Sequence, residues 1–103
     1  MSNTDKQRDK PPESKYIMQL YITGATHNST EAVKNIKHIC ENYLNGRYKL
    51  EIFDVYQQPS LAKDKKIIAA PTLIKLKPEP VKRIVGDMSD IYKVLLILGL
   101  SKT

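Results

Sequence analysis

Residues Ile67–Leu76 read IIAAPTLIKL, and the position of Pro71 inside this apolar run decides how the chain divides. Proline has no N–H for a sheet ladder, so a central strand can begin at Pro71 but cannot run through it. Helical continuity is also broken one residue earlier: Ala70 is pushed toward extended backbone, which ends any helix arriving from Lys63–Ile68. The stretch therefore reads as a helix end, a proline corner suited to a cis X–Pro bond, and a strand Thr72–Leu76.

Upstream of this corner, Tyr16–Thr23 (YIMQLYIT) places Tyr16, Met18, Leu20 and Ile22 on one strand face and Ile17 and Tyr21 on the other. A strand apolar on both faces belongs inside a sheet covered on both sides. Gly24 ends it. Asn28 followed by Glu31 has capping-box spacing, and Val33, Ile36, Ile39, Cys40, Tyr43 and Leu44 form one buried helical stripe. Asn45-Gly46 closes that helix. Tyr48–Val55 alternates as a second strand, expected to pair in parallel with the first through the crossover helix. Pro59 breaks the chain, and Ser60 opens a short helix through Ile68.

Downstream, Lys77–Pro80 is a proline-rich turn, and Val81–Val85 returns antiparallel. Gly86-Asp87 breaks again, and Ser89 or Asp90 opens a last segment to Leu98. Its Val94–Leu98 core is uninterrupted apolar, which fits a buried helix or a buried strand equally by period. Modest β-branching and the closeness of Gly99 favour the helix. The order β-α-β-α-β-β-α is that of the thioredoxin-like α/β fold, with the proline just before the third strand.

Composition sets the function classes. The chain has 103 residues with 41% hydrophobic and 27% charged, the balance of one soluble globular domain. We expect a disordered tail over 1–15 and one domain over 16–103. No apolar run approaches the roughly 18 residues of a membrane span, and the start of the chain lacks the apolar region of a secretory signal. One cysteine fits a reducing, cytoplasmic setting. The net charge is +6, of which residues 1–15 carry +1. The remainder favours an acidic protein surface as partner. Nucleic acid is disfavoured, because no basic run exceeds two residues and no aromatic–basic RNA-binding signature appears.

Catalytic chemistry finds little to work with. A redox dithiol of this fold would sit in Gly24–Ser29, which reads GATHNS. Cys40 on the apolar stripe reads as a small core residue, since reactive thiols need exposure and a lowered pKa. His27 and His38, with no cysteine pair, do not make a zinc site. Asp54 and Asp87 read as turn or cap carboxylates. No glycine-rich phosphate loop is present, so no cofactor, metal or catalytic residue is expected. Lys75, Lys77, Lys82 and Arg83 occupy two strands joined by a tight turn. They read either as edge-strand protection or as a docking surface.

Tyr16–Asp90 resembles the KaiB family of circadian-clock proteins. The resemblance is carried by Leu20–Gly24 (LYITG), Asn28-Ser29, Asp54-Val55, the P-x-LA of Pro59–Ala62, the A-x-PTL of Ala69–Leu73, the PV-x-RI of Pro80–Ile84 and the GD-x-SD of Gly86–Asp90. It implies a non-enzymatic regulator that binds KaiC, a hexameric RecA-like ATPase. It also implies self-association as a dimer or tetramer, and a metamorphic second half that alternates between the thioredoxin-like arrangement and β-α-β-β-α-α-β. Pro71, Gly86 and Asp87 then take structural roles, and Lys66, Lys75, Lys82 and Arg83 coincide with basic positions used against KaiC. Gln19 and Glu31 replace two other basic positions of the family. Lys49 and Glu51 replace a small residue and a lysine where the family edge receives KaiA, which weighs against KaiA as a partner. Ile97 and Gly99 stand where clock members carry glycine and aspartate, and the acidic C-terminal tail is missing. A role in a clock and a role in stress adaptation beside a KaiC homologue both stay open. The competing class is a thioredoxin-like redox or chaperone protein of oxidative stress.

Overall fold

The structure is a computed structural model that describes residues 15–67 and 69–100. The expected tail lies outside the described residues except for Lys15, and so does Ile68. The element order is β1 (Tyr16–Ile22), α1 (His27–Tyr43), β2 (Tyr48–Asp54), α2 (Pro59–Asp64), β3 (Thr72–Lys77), β4 (Lys82–Val85) and α3 (Ile91–Leu98). This is the thioredoxin-like arrangement, and the sheet order is β2-β1-β3-β4.

β1 is interior, as its two apolar faces require. It pairs in parallel with β2, Tyr16 opposite Tyr48 through Ile22 opposite Asp54. It pairs antiparallel with β3, Leu20 opposite Leu73, with a register irregularity at Ile17/Met18. β3 and β4 form the antiparallel hairpin, Thr72 opposite Val85 through Lys75 opposite Lys82. The Ala70–Pro71 bond is cis, as are Lys77–Pro78 and Glu79–Pro80.

Because strand side chains alternate, one sheet face carries Tyr16, Met18, Leu20, Leu73 and Ile84. These pack with Ala32, Ile36, Ile39, Cys40 and Leu44 on and just after α1, and with Val94, Leu95 and Leu98 of α3, as one core. The Tyr16 hydroxyl donates to the Leu98 carbonyl at 2.8 Å, tying α3 to the start of β1. The ambiguous run is a helix because its ends are punctuated. The Asp90 carboxylate accepts from Lys93 N–H, and Gly99 closes the C-terminus with φ 78°.

Two element boundaries differ from the sequence expectation. α1 is capped by Thr26, whose hydroxyl accepts from Ser29 N–H, and not by Asn28. The buried Ser29 hydroxyl accepts from Thr23 N–H at 3.0 Å, which locks the loop and starts the helix two residues earlier. α2 ends at Asp64, short of Ile68. Ile67 N–H reaches back to the Ala62 carbonyl at 2.7 Å and Lys66 N–H to Lys63 at 3.2 Å. That pattern is a Schellman motif with Lys66 at the left-handed position, φ 56°.

Candidate functional site

The three residues expected to be structural converge at one end of the sheet. The Pro71 carbonyl accepts from Gly86 N–H at 2.9 Å, joining the entry of β3 to the exit of β4. Gly86 has φ 116°, a backbone that side chains rarely adopt. The Asp87 carbonyl accepts from Asn35 Nδ2 at 2.8 Å, which fastens this corner to α1. The Asp87 carboxylate accepts from Ser89 N–H at 3.0 Å. Hydrogen bonding from the Ser89 side chain, then from its N–H, aided by the His27 side chain, holds its pKa below the usual carboxylate value.

Asp54 does more than end a strand. Its Oδ1 accepts from Gly24 N–H at 3.0 Å and from Tyr56 N–H at 2.9 Å, so one carboxylate oxygen fixes both loops beside the start of α1. Gly24 has φ 57°, and a Cβ there would meet the Tyr56 ring at 3.3 Å. The sequence shows the strand end but not this bridge.

The basic residues separate. Lys75 is 5% exposed, and its Nζ donates to the Pro78 carbonyl at 2.8 Å. Burial, and secondarily the Lys82 ammonium, lower its pKa. The expected surface role of Lys75 is therefore corrected: its head group is spent on the hairpin turn. Lys82, opposite Lys75, is exposed and lies on the helix-covered side of the sheet. Arg83 is exposed and points to the opposite side, sharing it with Ile74 and Tyr21. Sequence neighbours on a strand face opposite ways, so the expected single cluster is divided by the sheet.

Arg83 instead meets the end of α2. Its Nη2 donates to the Lys65 carbonyl at 2.7 Å and its Nη1 to the Lys66 carbonyl at 3.3 Å. These are the carbonyls of the C-cap and of the left-handed residue after it, neither of which the two Schellman bonds use. Lys63, Lys65 and Lys66 are exposed around this turn, so the second sheet face carries a cationic rim with Asp64 as the acidic member of the same turn. Beneath it, Tyr21 stacks on Phe53 with ring centroids 5.2 Å apart and donates its hydroxyl to Gln19 Oε1 at 2.9 Å. Burial and the Glu51 carboxylate raise the Tyr21 pKa.

Cys40 is fully buried among the core side chains, and burial, then the Glu41 charge, pushes its thiol up to about 12. A thiol in that state offers no thiolate nucleophile. His38 is on exposed α1 surface, 3.2 Å from Asn42 Nδ2. Among the described residues no three His, Cys, Asp or Glu side chains gather as a metal site, and no helix is long and apolar enough to cross a membrane. An open hollow of about 390 Å³ at the end of β1 is lined by Ile22, Ala25, Ser29, Thr30 and Val33, with Lys34 as its titratable side chain.

The KaiB domain matches residues 19–100. A protein of Prochlorococcus marinus subsp. pastoris named circadian clock oscillator protein KaiB is 51% identical over 85 residues, 82% of this chain and 79% of that protein. A protein of the same name from Synechococcus elongatus is 48% identical over 89 residues, 86% of this chain and 87% of its own. Among solved structures, the N-terminal domain of Synechococcus elongatus SasA aligns with a TM-score of 0.67 at 19% identity, covering 91% of this chain and 92% of that one. The Drosophila melanogaster thioredoxin Deadhead aligns with a TM-score of 0.67 at 16% identity, covering 96% and 93%. These two likenesses concern the fold.

Proposed function

Because the chain belongs to the KaiB family, we propose that it is a regulatory protein without catalytic activity that docks on a hexameric ATPase of the KaiC type. The setting is circadian timing or a related stress-adaptation system. The observation that carries this reading is the cationic surface formed by the last turn of α2 together with β4. Lys65, Lys66 and Arg83 are exposed there, with Lys82 exposed on the other side of the same edge strand, on a domain whose one described thiol is buried with its pKa pushed to about 12. A surface of this kind suits an acidic protein face, because complementary charge steers encounter and fixes orientation.

KaiA fits less well. Glu51, which stands where the family pattern has a lysine on the edge that receives KaiA, lies on β2 opposite Gln19 of β1. The edge strand β2 thus presents Lys49 and Glu51 on one side, a charge order unlike the one that pattern carries.

The test is direct binding to the KaiC-type ATPase of the same genome during ATP hydrolysis, by interferometry and by co-elution. The expected result is a complex that weakens as salt rises, since exposed charge pairs are screened within about 10 Å at 0.1 M salt. Absence of any complex at low salt and high protein concentration overturns the reading. A redox role would instead require reduction of a disulfide substrate that is lost in Cys40→Ala.

A further inference from the structure

We infer that Arg83 is a positioning residue, whose guanidinium acts by holding the last turn of α2 and so presenting Lys66, and does not itself grip the partner. This deepens the docking reading and rests on it for its functional consequence. The structural half stands on the free protein alone.

Three observations converge. Both terminal nitrogens of Arg83 are engaged with main-chain carbonyls, Nη2 with Lys65 and Nη1 with Lys66. A planar fork of donors can span two adjacent carbonyls, which a point charge cannot. The turn so held is a Schellman closure in which a lysine sits at the position glycine ordinarily fills, with φ 56°. A left-handed lysine persists only where surrounding contacts over-determine it. α2 supplies little of that support itself, since it is six residues long and has no buried residue. The restraint therefore comes from outside the helix, and Arg83, 17 and 18 positions away in sequence, supplies side-chain hydrogen bonds to it. Arg83 in turn stands on a strand fixed by register to Ile74 and flanked by the buried Ile84. The sheet thus dictates where Lys66 is displayed.

The test has two arms. In the free protein, amide exchange of Lys65, Lys66 and Ile67 is compared between wild type and Arg83→Met, with the Leu20 and Leu73 amides as sheet controls. The three turn amides should exchange at least about tenfold faster in the variant, while the sheet controls stay unchanged. Unchanged turn amides overturn the inference, whatever the ATPase does. In the second arm, affinity for the KaiC-type ATPase is measured for Arg83→Met, Lys66→Ala and the double variant. If Arg83 acts through Lys66, the double variant binds no more weakly than Lys66→Ala. If the two losses multiply, Arg83 contacts the partner independently and the inference is wrong. Should wild type itself fail to bind, the docking proposal falls while the exchange arm still decides the role of Arg83 within the fold.

Discussion

Replacing Lys66 by glycine should stabilise the domain and weaken docking at once. The residue is held at φ 56° at the end of α2, exposed to solvent. A non-glycine residue pays about 1–2 kcal/mol for the left-handed conformation. Glycine avoids that cost but gives back about 0.4–1 kcal/mol through its freer unfolded chain. The central net gain is about 0.8 kcal/mol, which in a domain of this size raises Tm by about 3–6 °C. Calorimetry on wild type and Lys66→Gly measures it. The same change removes one ammonium from the docking surface, and an exposed charge pair is worth up to about 1 kcal/mol, or about two- to fivefold in affinity. Opposite signs of the two effects are the signature of a residue kept at a strained position for its side chain. A Tm that stays level or drops refutes the strain reasoning. A raised Tm with unaltered affinity at low salt removes Lys66 from the docking surface.

Three further outcomes follow from the geometry. Lys82→Glu should weaken ATPase binding at low salt with an unchanged far-UV spectrum, because the side chain is exposed on a short edge strand; equal binding would assign Lys82 to edge protection alone. Lys75→Met should leave docking unchanged and alter stability by less than about 1.5 kcal/mol, while Lys75→Glu, which buries a carboxylate against the Pro78 carbonyl, should destabilise by several-fold more; loss of docking in the methionine variant, measured on folded protein, would restore Lys75 to the interface. Cys40 should resist a thiol reagent at pH 8 until urea unfolds the chain. Its proton is also held by the native state above the unfolded pKa of 9.0, so this contribution to stability is intact below that pH and is lost as pH rises toward about 12; a Cys40→Ala denaturation profile that declines as steeply over that range would contradict it.

Most of the element order is legible in the sequence because each segment carries its own period and its own punctuation. The two-sided apolar pattern of Tyr16–Ile22 can only be an interior strand, and it is. Where period fails, at Val94–Leu98, Asp90 and Gly99 supply the missing information as caps at either end. The Asn28–Glu31 spacing misleads for a local reason. Thr23, Thr26 and Ser29 form a hydroxyl network that already satisfies the helix start, and a four-residue spacing rule does not see hydroxyls further back. Likewise the end of α2 comes early because lysine takes a left-handed position that sequence rules reserve for glycine.

The candidate docking surface is less legible, and the reason is geometric. Lys82 and Arg83 are adjacent in sequence, and adjacency in a strand already implies opposite faces; that signal was available and separates them. What no sequence pattern carries is the register that sets Lys75 beside Met18 and turns its ammonium back to Pro78, or the tertiary bond from Arg83 to a helix end. The consequence concerns how this surface can change. A charge placed directly in an interface can be traded for another charge at small cost. A guanidinium that shapes a turn cannot, because its partners are two carbonyls at fixed separation and lysine offers one point of contact. Arg83→Lys should therefore preserve the net charge of the surface and still loosen the α2 turn, whereas Lys82→Arg, on the other side of the sheet, should leave both binding and turn exchange as they were. Equal tolerance at the two positions would mean that charge alone, and not the geometry of the turn, defines the surface.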